Sequence, residues 1–331
     1  MKKILTSSFA IFIVFLMVVA CSKDRSIILE DVKPIADTVK NTPTDSAKVT
    51  KSIKDYSFSI SNSQALFDSL APKSEIFTIN KASDLPVTTK NGMKVSFSIG
   101  DCINPNGKIV TFPIELEVLA LLTPKDMILH QKPTVSYGRL LTTGGEFLIK
   151  VRKDKDELNL RFYNGMNISV PIKGTPDPEM GLFYGQSTSD GRVEWLFSNP
   201  DSLRQREREI WVGKGFYEVF PRTLGWINCD KFYNFTGPKT KIKFTSAYPD
   251  LNVIKVFLYF PDIKSIMQVY SDTSGDVPVG QAVKVICIAP TTNGIWYSYI
   301  RDLNVSENQV VNIELTQTTE KAVLDYLKNL N

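Results

Sequence analysis

The chain has a single histidine, His130, in 331 residues, and that scarcity removes much chemistry at once. One imidazole cannot build a His-rich zinc site or an HExxH helix. A Ser-His-Asp triad or a Cys-His pair would have to use His130. It stands between Leu129 and Gln131 in a segment ending at Pro133, and no GxSxG elbow occurs in the chain. We read His130 as a surface or edge-strand residue and assign no catalytic residue. The dinucleotide GxGxxG and the phosphate-loop GxxxxGK[ST] are also absent, so no nucleotide fingerprint exists. Charge is scant: the formal net value is +4, too small and too evenly spread to call for nucleic acid. Asp154 and Asp156 lack the Gly and the distant Glu of an EF-hand loop, so we expect no metal and no cofactor.

Cysteine is nearly as sparse, with four in all. Cys287 shares a face with Val283 and Val285 if Val283–Ile288 is a strand, and reads as a small buried core residue. Cys102 and Cys229 are the candidates for a disulfide, although spacing alone does not place them within bonding distance.

Long apolar runs are missing too. The run Phe9 to Val19 is little more than half of the ~20 residues that a spanning helix needs. With Lys2 and Lys3 ahead of it and small residues behind, it has the three regions of a secretory leader. Val18-Val19-Ala20-Cys21 resembles the bacterial lipoprotein signal box. That resemblance implies cleavage before Cys21, a lipid on its thiol and acylation of the new amino group. One acyl chain binds a bilayer only marginally, whereas several on one cysteine give a stable anchor. The plain alternative is an ordinary leader with a chance cysteine after it. Cys-Ser-Lys-Asp at 21–24 resembles, in part, the surface-export tag of Bacteroidetes lipoproteins. It implies an outer-membrane protein facing outward, with a periplasm-facing site as the alternative.

Residues 21–52 lack sustained periodicity and read as a flexible tether. Within it, Asp37-Thr38-Val39 and Asp45-Ser46-Ala47 resemble the short O-glycosylation sequon of Bacteroidetes.

Beyond the tether, period-2 alternation dominates. Met93, Val95, Phe97 and Ile99 alternate with Lys94, Ser96 and Ser98 after an Asn91-Gly92 turn, which marks a half-buried strand. In Val110 to Leu122, Ile114, Leu116 and Val118 face one way, with Glu115 and Glu117 the other. Gly144-Gly145 precedes a strand at 146–151, and the charged stretch 153–157 forms a solvated hairpin tip. Ala65–Leu70 is enough for one helical turn. The order of elements from Gly92 through Met127-Ile128-Leu129 to Leu141–Phe147 resembles the ZU5-type β-sandwich of bacterial lipoproteins. Some relatives of that type cut themselves at a His followed by an aromatic residue and Ser or Thr. Here Gln131 and Lys132 follow His130, so self-cleavage is not carried over.

We expect an all-β chain of two β-sandwich domains in tandem with a short C-terminal helix. Its divisions would be a leader at 1–20, the tether at 21–52, the ZU5-like sandwich at 53–175, a connecting segment at 176–234 and a second sandwich at 235–331. In the connecting segment, Arg204, Arg206 and Arg208 alternate with Gln205, Glu207 and Glu209. They can grip an anion or form a solvated edge strand. Gly225–Tyr233 reads as a hinge between domains, with Trp226 and Asp230 as candidate ligand contacts. Thr318 or Thr319 caps the closing helix, and Val323, Leu327 and Leu330 share its buried face.

Two functions fit: a surface module for protein or glycan contacts, anchored through lipid, or a carboxylate-dependent glycan hydrolase with its site between the β-domains. Trp195, Trp211, Trp226 and Trp296 in one open groove would favour glycan binding. Burial of all four would favour a scaffold. Two carboxyl groups in a cleft would favour the hydrolase.

Overall fold

Alternation along the strands sets the first core. The computed structural model describes residues 60–161, 165–198, 209–247, 251 and 253–330. Cys21, the tether and Arg204, Arg206 and Arg208 lie outside the described residues. The fold is all-β with a short C-terminal helix.

The first core lies between two antiparallel sheets. One runs in the order Glu75–Ile79, Ile114–Leu121, Arg139–Lys153, Gly225–Phe232, Gly181–Ser187, Val193–Phe197. The other runs Ile210–Val212, Phe216–Val219, Met166–Pro171, Lys94–Phe97, Val87–Thr88. Leu116, Phe147 and Ile149 of the first meet Val95, Ile168 and Val219 of the second in one buried cluster. Met93, Val95, Phe97, Ile114, Leu116 and Val118 point inward as their alternation predicts. Glu115 and Glu117 face Arg152 across the strand pair.

Residues 176–234 differ from the expected connecting segment. They supply strands to both sheets, because Gly181–Ser187 pairs with Gly225–Phe232 and Ile210–Val212 with Phe216–Val219. Gly225–Phe232 is thus a central strand, bonded on its other side to Arg139–Lys153, and not a hinge.

The second core is built on a five-stranded sheet ordered Ser265–Val269, Lys255–Phe260, Ala282–Pro290, Trp296–Asn304, Thr316–Thr318. One face packs Val256, Leu258, Val285 and Cys287 against Phe244, Val311 and Ile313 of a parallel strand pair. The other face carries Phe257, Tyr259, Ile286 and Ile288 and is covered by three helices. Burial on both faces explains the unbroken apolar run Val256–Phe260.

Each helix has a local cause. Ile60–Leu70 is longer than the single turn expected and sets Phe67 against Phe257, ring centroids 6.2 Å apart. Pro124–Leu129 begins at Thr123, whose hydroxyl accepts from the Asp126 amide at 3.2 Å, with proline in the first turn where no N–H is missed. Glu320–Lys328 is capped by Thr319, which accepts from Ala322 N at 3.1 Å, and buries Val323 and Leu327, with Leu330 just beyond it. Among the described residues no helix is long and apolar enough to cross a membrane.

Cys102 and Cys229 are free thiols, which corrects the candidate disulfide. Both are buried in the first core as small apolar side chains. Burial pushes Cys102 up to about 12 and Cys229 well above the ordinary thiol range, so neither yields a thiolate near neutrality.

Candidate functional site

Polar side chains gather in three places, and the most buried comes from the sheet itself. Strand Arg139–Lys153 passes through Gly144-Gly145 with a register shift against Gly225–Phe232. A Cβ on Gly144 would meet Tyr217 Cε2 at 2.8 Å and the Cys229 carbonyl oxygen at 2.9 Å, so only glycine fits this approach. The bulge places Thr143 opposite Asp230 and Glu146 opposite Asn228. Both carboxyl groups are fully buried. Asn228 Nδ2 donates to Asp230 Oδ2 at 2.7 Å, and the Thr143 hydroxyl and Gly144 amide also bond to Asp230.

Desolvation dominates this pair. It raises Asp230 to about 8 against those three hydrogen bonds. Glu146 is raised well above the carboxylate range, first by burial and then by the Asp230 charge, with Lys132 opposing. Near neutrality the pair is held mostly as neutral acids. A protonated carboxyl gains an O–H donor and escapes the cost of a buried charge. Asp230, a candidate ligand contact by sequence, is therefore interior. Trp226 is half-buried and packs edge-to-face on Trp195, ring centroids 6.5 Å apart, with Lys132 Nζ 5.1 Å over its ring.

The four tryptophans follow neither expected pattern. Trp195 and Trp296 are buried, Trp226 is half-buried, and Trp211 stands 51% exposed on the sheet-edge strand Ile210–Val212. Glu209, read as part of a solvated charge alternation, is buried instead. It accepts from Tyr184 Oη at 2.7 Å and from Ser198 Oγ, and Arg222 Nε lies 2.8 Å away.

His130 is also corrected. It ends helix Pro124–Leu129, half-buried, with Nε2 2.7 Å from the Pro72 carbonyl oxygen. Burial holds its imidazole below the ordinary range. It borders a cavity of about 620 Å³ together with Lys132, Lys255 and Arg192. Burial lowers both lysines, while Arg192 is tied to Asp190 and lies over the Tyr270 ring at 4.3 Å. This place is cationic and already partly compensated from within.

The third place is an open groove of about 420 Å³ where the hairpin before Arg139–Lys153 meets the end of Gly225–Phe232. Val135–Ser136 pairs with Arg139-Leu140 through a two-residue turn, Tyr137-Gly138, with φ of 45° and 76°. That turn favours Asn-Gly, and a bulky residue in its first position is an outlier. Tyr137 is nevertheless there, 71% exposed. Beside it Tyr233 and Phe235 stack at 6.1 Å and 25°, and Asn234 and Thr236 are exposed between and after them. Arg139 lies over the Phe232 ring at 3.8 Å and donates to Asn234 Oδ1 at 3.4 Å. Asp276 is the carboxylate in this lining. Past Asn234 a second groove continues over Phe232 and the partly exposed Phe197, whose rings are 5.6 Å apart.

Sequence reading missed this groove, because its residues come from turns at 137, 233–236 and 276. The Tyr-Gly dipeptide between apolar runs was the available signal. Among the described residues no three His, Cys, Asp or Glu side chains form a metal-holding group.

No protein-family model matches the chain, and no curated protein matches it. Among solved structures, similarity is found to the crystal structure of gamma-CGTase from alkalophilic Bacillus clarkii, at 11% identity and a TM-score of 0.16. The match covers 72% of this chain but only 41% of that one, and at this score it carries no argument about either fold or activity.

Proposed function

We propose that the chain is an outer-membrane lipoprotein, held by acyl chains on Cys21 and displaying its β body at the cell surface as a non-catalytic binding module. The leader-like residues 2–21 support the anchor. The resemblance of the first sandwich to ZU5-type lipoprotein domains supports the placement.

The observation that carries the binding role is the open groove beside Tyr137. It offers aromatic faces and hydrogen-bonding side chains, with Asp276 as its carboxylate. Glycoside hydrolysis generally needs two carboxyl groups flanking the scissile bond. Glu146 and Asp230 are buried in the sheet, and Asp177 and Glu179, beside the adjoining groove, are both tied to Lys231.

Protease added to intact cells should degrade the protein, and the purified acylated chain should release no product from glycan or peptide libraries. Protection until the outer membrane is opened would move the body to the periplasmic side. Turnover abolished by one Asp or Glu substitution would contradict the binding role.

A further inference from the structure

We infer that the groove beside Tyr137 is a saccharide-binding site, with a polysaccharide chain lying across Tyr137 and the Tyr233–Phe235 stack. This rests on the reading of the body as a binding module and names its ligand class.

Tyr137 takes a left-handed backbone conformation that Asn or Gly would occupy at less cost. Its ring is exposed, so core packing does not compensate. A strained, solvent-facing aromatic residue on a groove points to a use for the ring itself.

The chemistry of the surroundings narrows that use. A pyranose ring has an apolar C–H face and a rim of hydroxyls. Aromatic rings cover the first, and planar amide, guanidinium and carboxylate groups pair with the second. Tyr137, Tyr233 and Phe235 supply rings, and Asn234, Arg139 and Asp276 supply the polar partners. Tyr233 N donates to the Leu140 carbonyl oxygen at 2.9 Å, which ties the stack to the hairpin bearing Tyr137. Three residues of chain separate Tyr137 from Leu140, at most about 10 Å, so one ligand can touch both platforms.

The rings Phe197 and Phe232 in the adjoining groove extend the surface beyond a single sugar. Arg139 is held by Phe232 and Asn234, while Lys239 and Lys241 are exposed in the same lining with Asp276, so the response to salt separates a neutral chain from a polyanion.

The test is native affinity electrophoresis of the full-length acylated chain in detergent. The gels contain xyloglucan, galactomannan, starch, mixed-linkage β-glucan or hyaluronan, at low and high salt. At least one polysaccharide should retard the protein at both salts. Tyr137→Asn keeps a turn-compatible residue and should weaken retention at least tenfold with folding intact, and Asn234→Ala should weaken it several-fold.

Retention unchanged in both variants overturns the assignment to this groove. Retention lost at high salt overturns it in favour of a charge-driven polyanion site. No retention, with no product released, overturns the saccharide inference but leaves the binding module standing. A Tyr137-dependent protein partner without saccharide retention does the same. Product release overturns the binding-module reading itself.

Discussion

Two irregularities lie on adjoining parts of one stretch of chain, and they have opposite meanings. At Glu146 and Asp230 the sheet buries two ionisable carboxyl groups, and at Tyr137 the hairpin breaks the rule for a tight turn. The first is closed: Asp230 is held by Asn228, Thr143 and Gly144, and both carboxyl groups are fully buried. The second is open, and its ring has nothing of the fold to serve. Polarity or strain alone does not mark a functional site. Access to solvent separates the structural device from the binding surface.

The comparison breaks most readily on its closed side. Asp230→Ala would leave the Asn228 amide, the Thr143 hydroxyl and the Gly144 amide without their acceptor, each worth about 1–3 kcal/mol when buried and unpaired. We expect the largest loss of stability here, read by urea denaturation, while Asp230→Asn should cost far less near neutrality. Gly144→Ala should follow at about 1–3 kcal/mol, typical of overpacking, because the Cys229 carbonyl oxygen is backbone and cannot swing away. Glu209→Ala removes the acceptor of Tyr184 and Ser198 and should cost about 2 kcal/mol by the same orphan-donor argument. Thermal and urea midpoints measured together check both.

The pH response sharpens the contrast. Unfolded carboxyl groups titrate near 4, whereas Asp230 titrates at about 8 in the fold and Glu146 also well above its ordinary value. Between those limits the folded state holds protons that the unfolded state has lost. The contribution of these two groups to stability is therefore full below pH ~4 and is lost as pH rises through the folded values, at a slope of up to ~1.4 kcal/mol per unit for each group. Asp230→Asn should flatten the part due to Asp230. The smallest effect is on the open side. Tyr137→Asn should leave the urea midpoint unchanged or slightly raised, since asparagine tolerates the left-handed turn.

Much of the fold was legible where neighbours in sequence decide the outcome. Val283, Val285 and Cys287 share a buried face as a period of two requires, and Thr319 caps a helix whose apolar stripe is Val323, Leu327 and Leu330. The Asn91-Gly92 turn, with Gly92 at φ 86°, was visible for the same reason. Legibility failed where partners are distant. Gly144-Gly145 read as preceding a strand at 146–151, yet these glycines lie inside one continuous strand and carry it past Cys229 and Tyr217. Within 176–234 the pairings Gly181–Ser187 with Val193–Phe197 and Ile210–Val212 with Phe216–Val219 are local. Those that build them into the sheets, Gly225–Phe232 with Arg139–Lys153 and Phe216–Val219 with Met166–Pro171, join more distant segments that local pattern does not reveal. Glu146 looked like any outward carboxylate, since nothing nearby announces that Gly225–Phe232 will pair beside it and that its side chain will be buried. The groove was the least legible, being assembled from three turns that share no motif.

The most direct test of the account is mass spectrometry of the mature N-terminal peptide from the membrane fraction. The account predicts a chain beginning at Cys21 with a thioether-linked diacylglycerol and an acylated amino group. An unmodified Cys21 thiol, or processing at another bond, would contradict it.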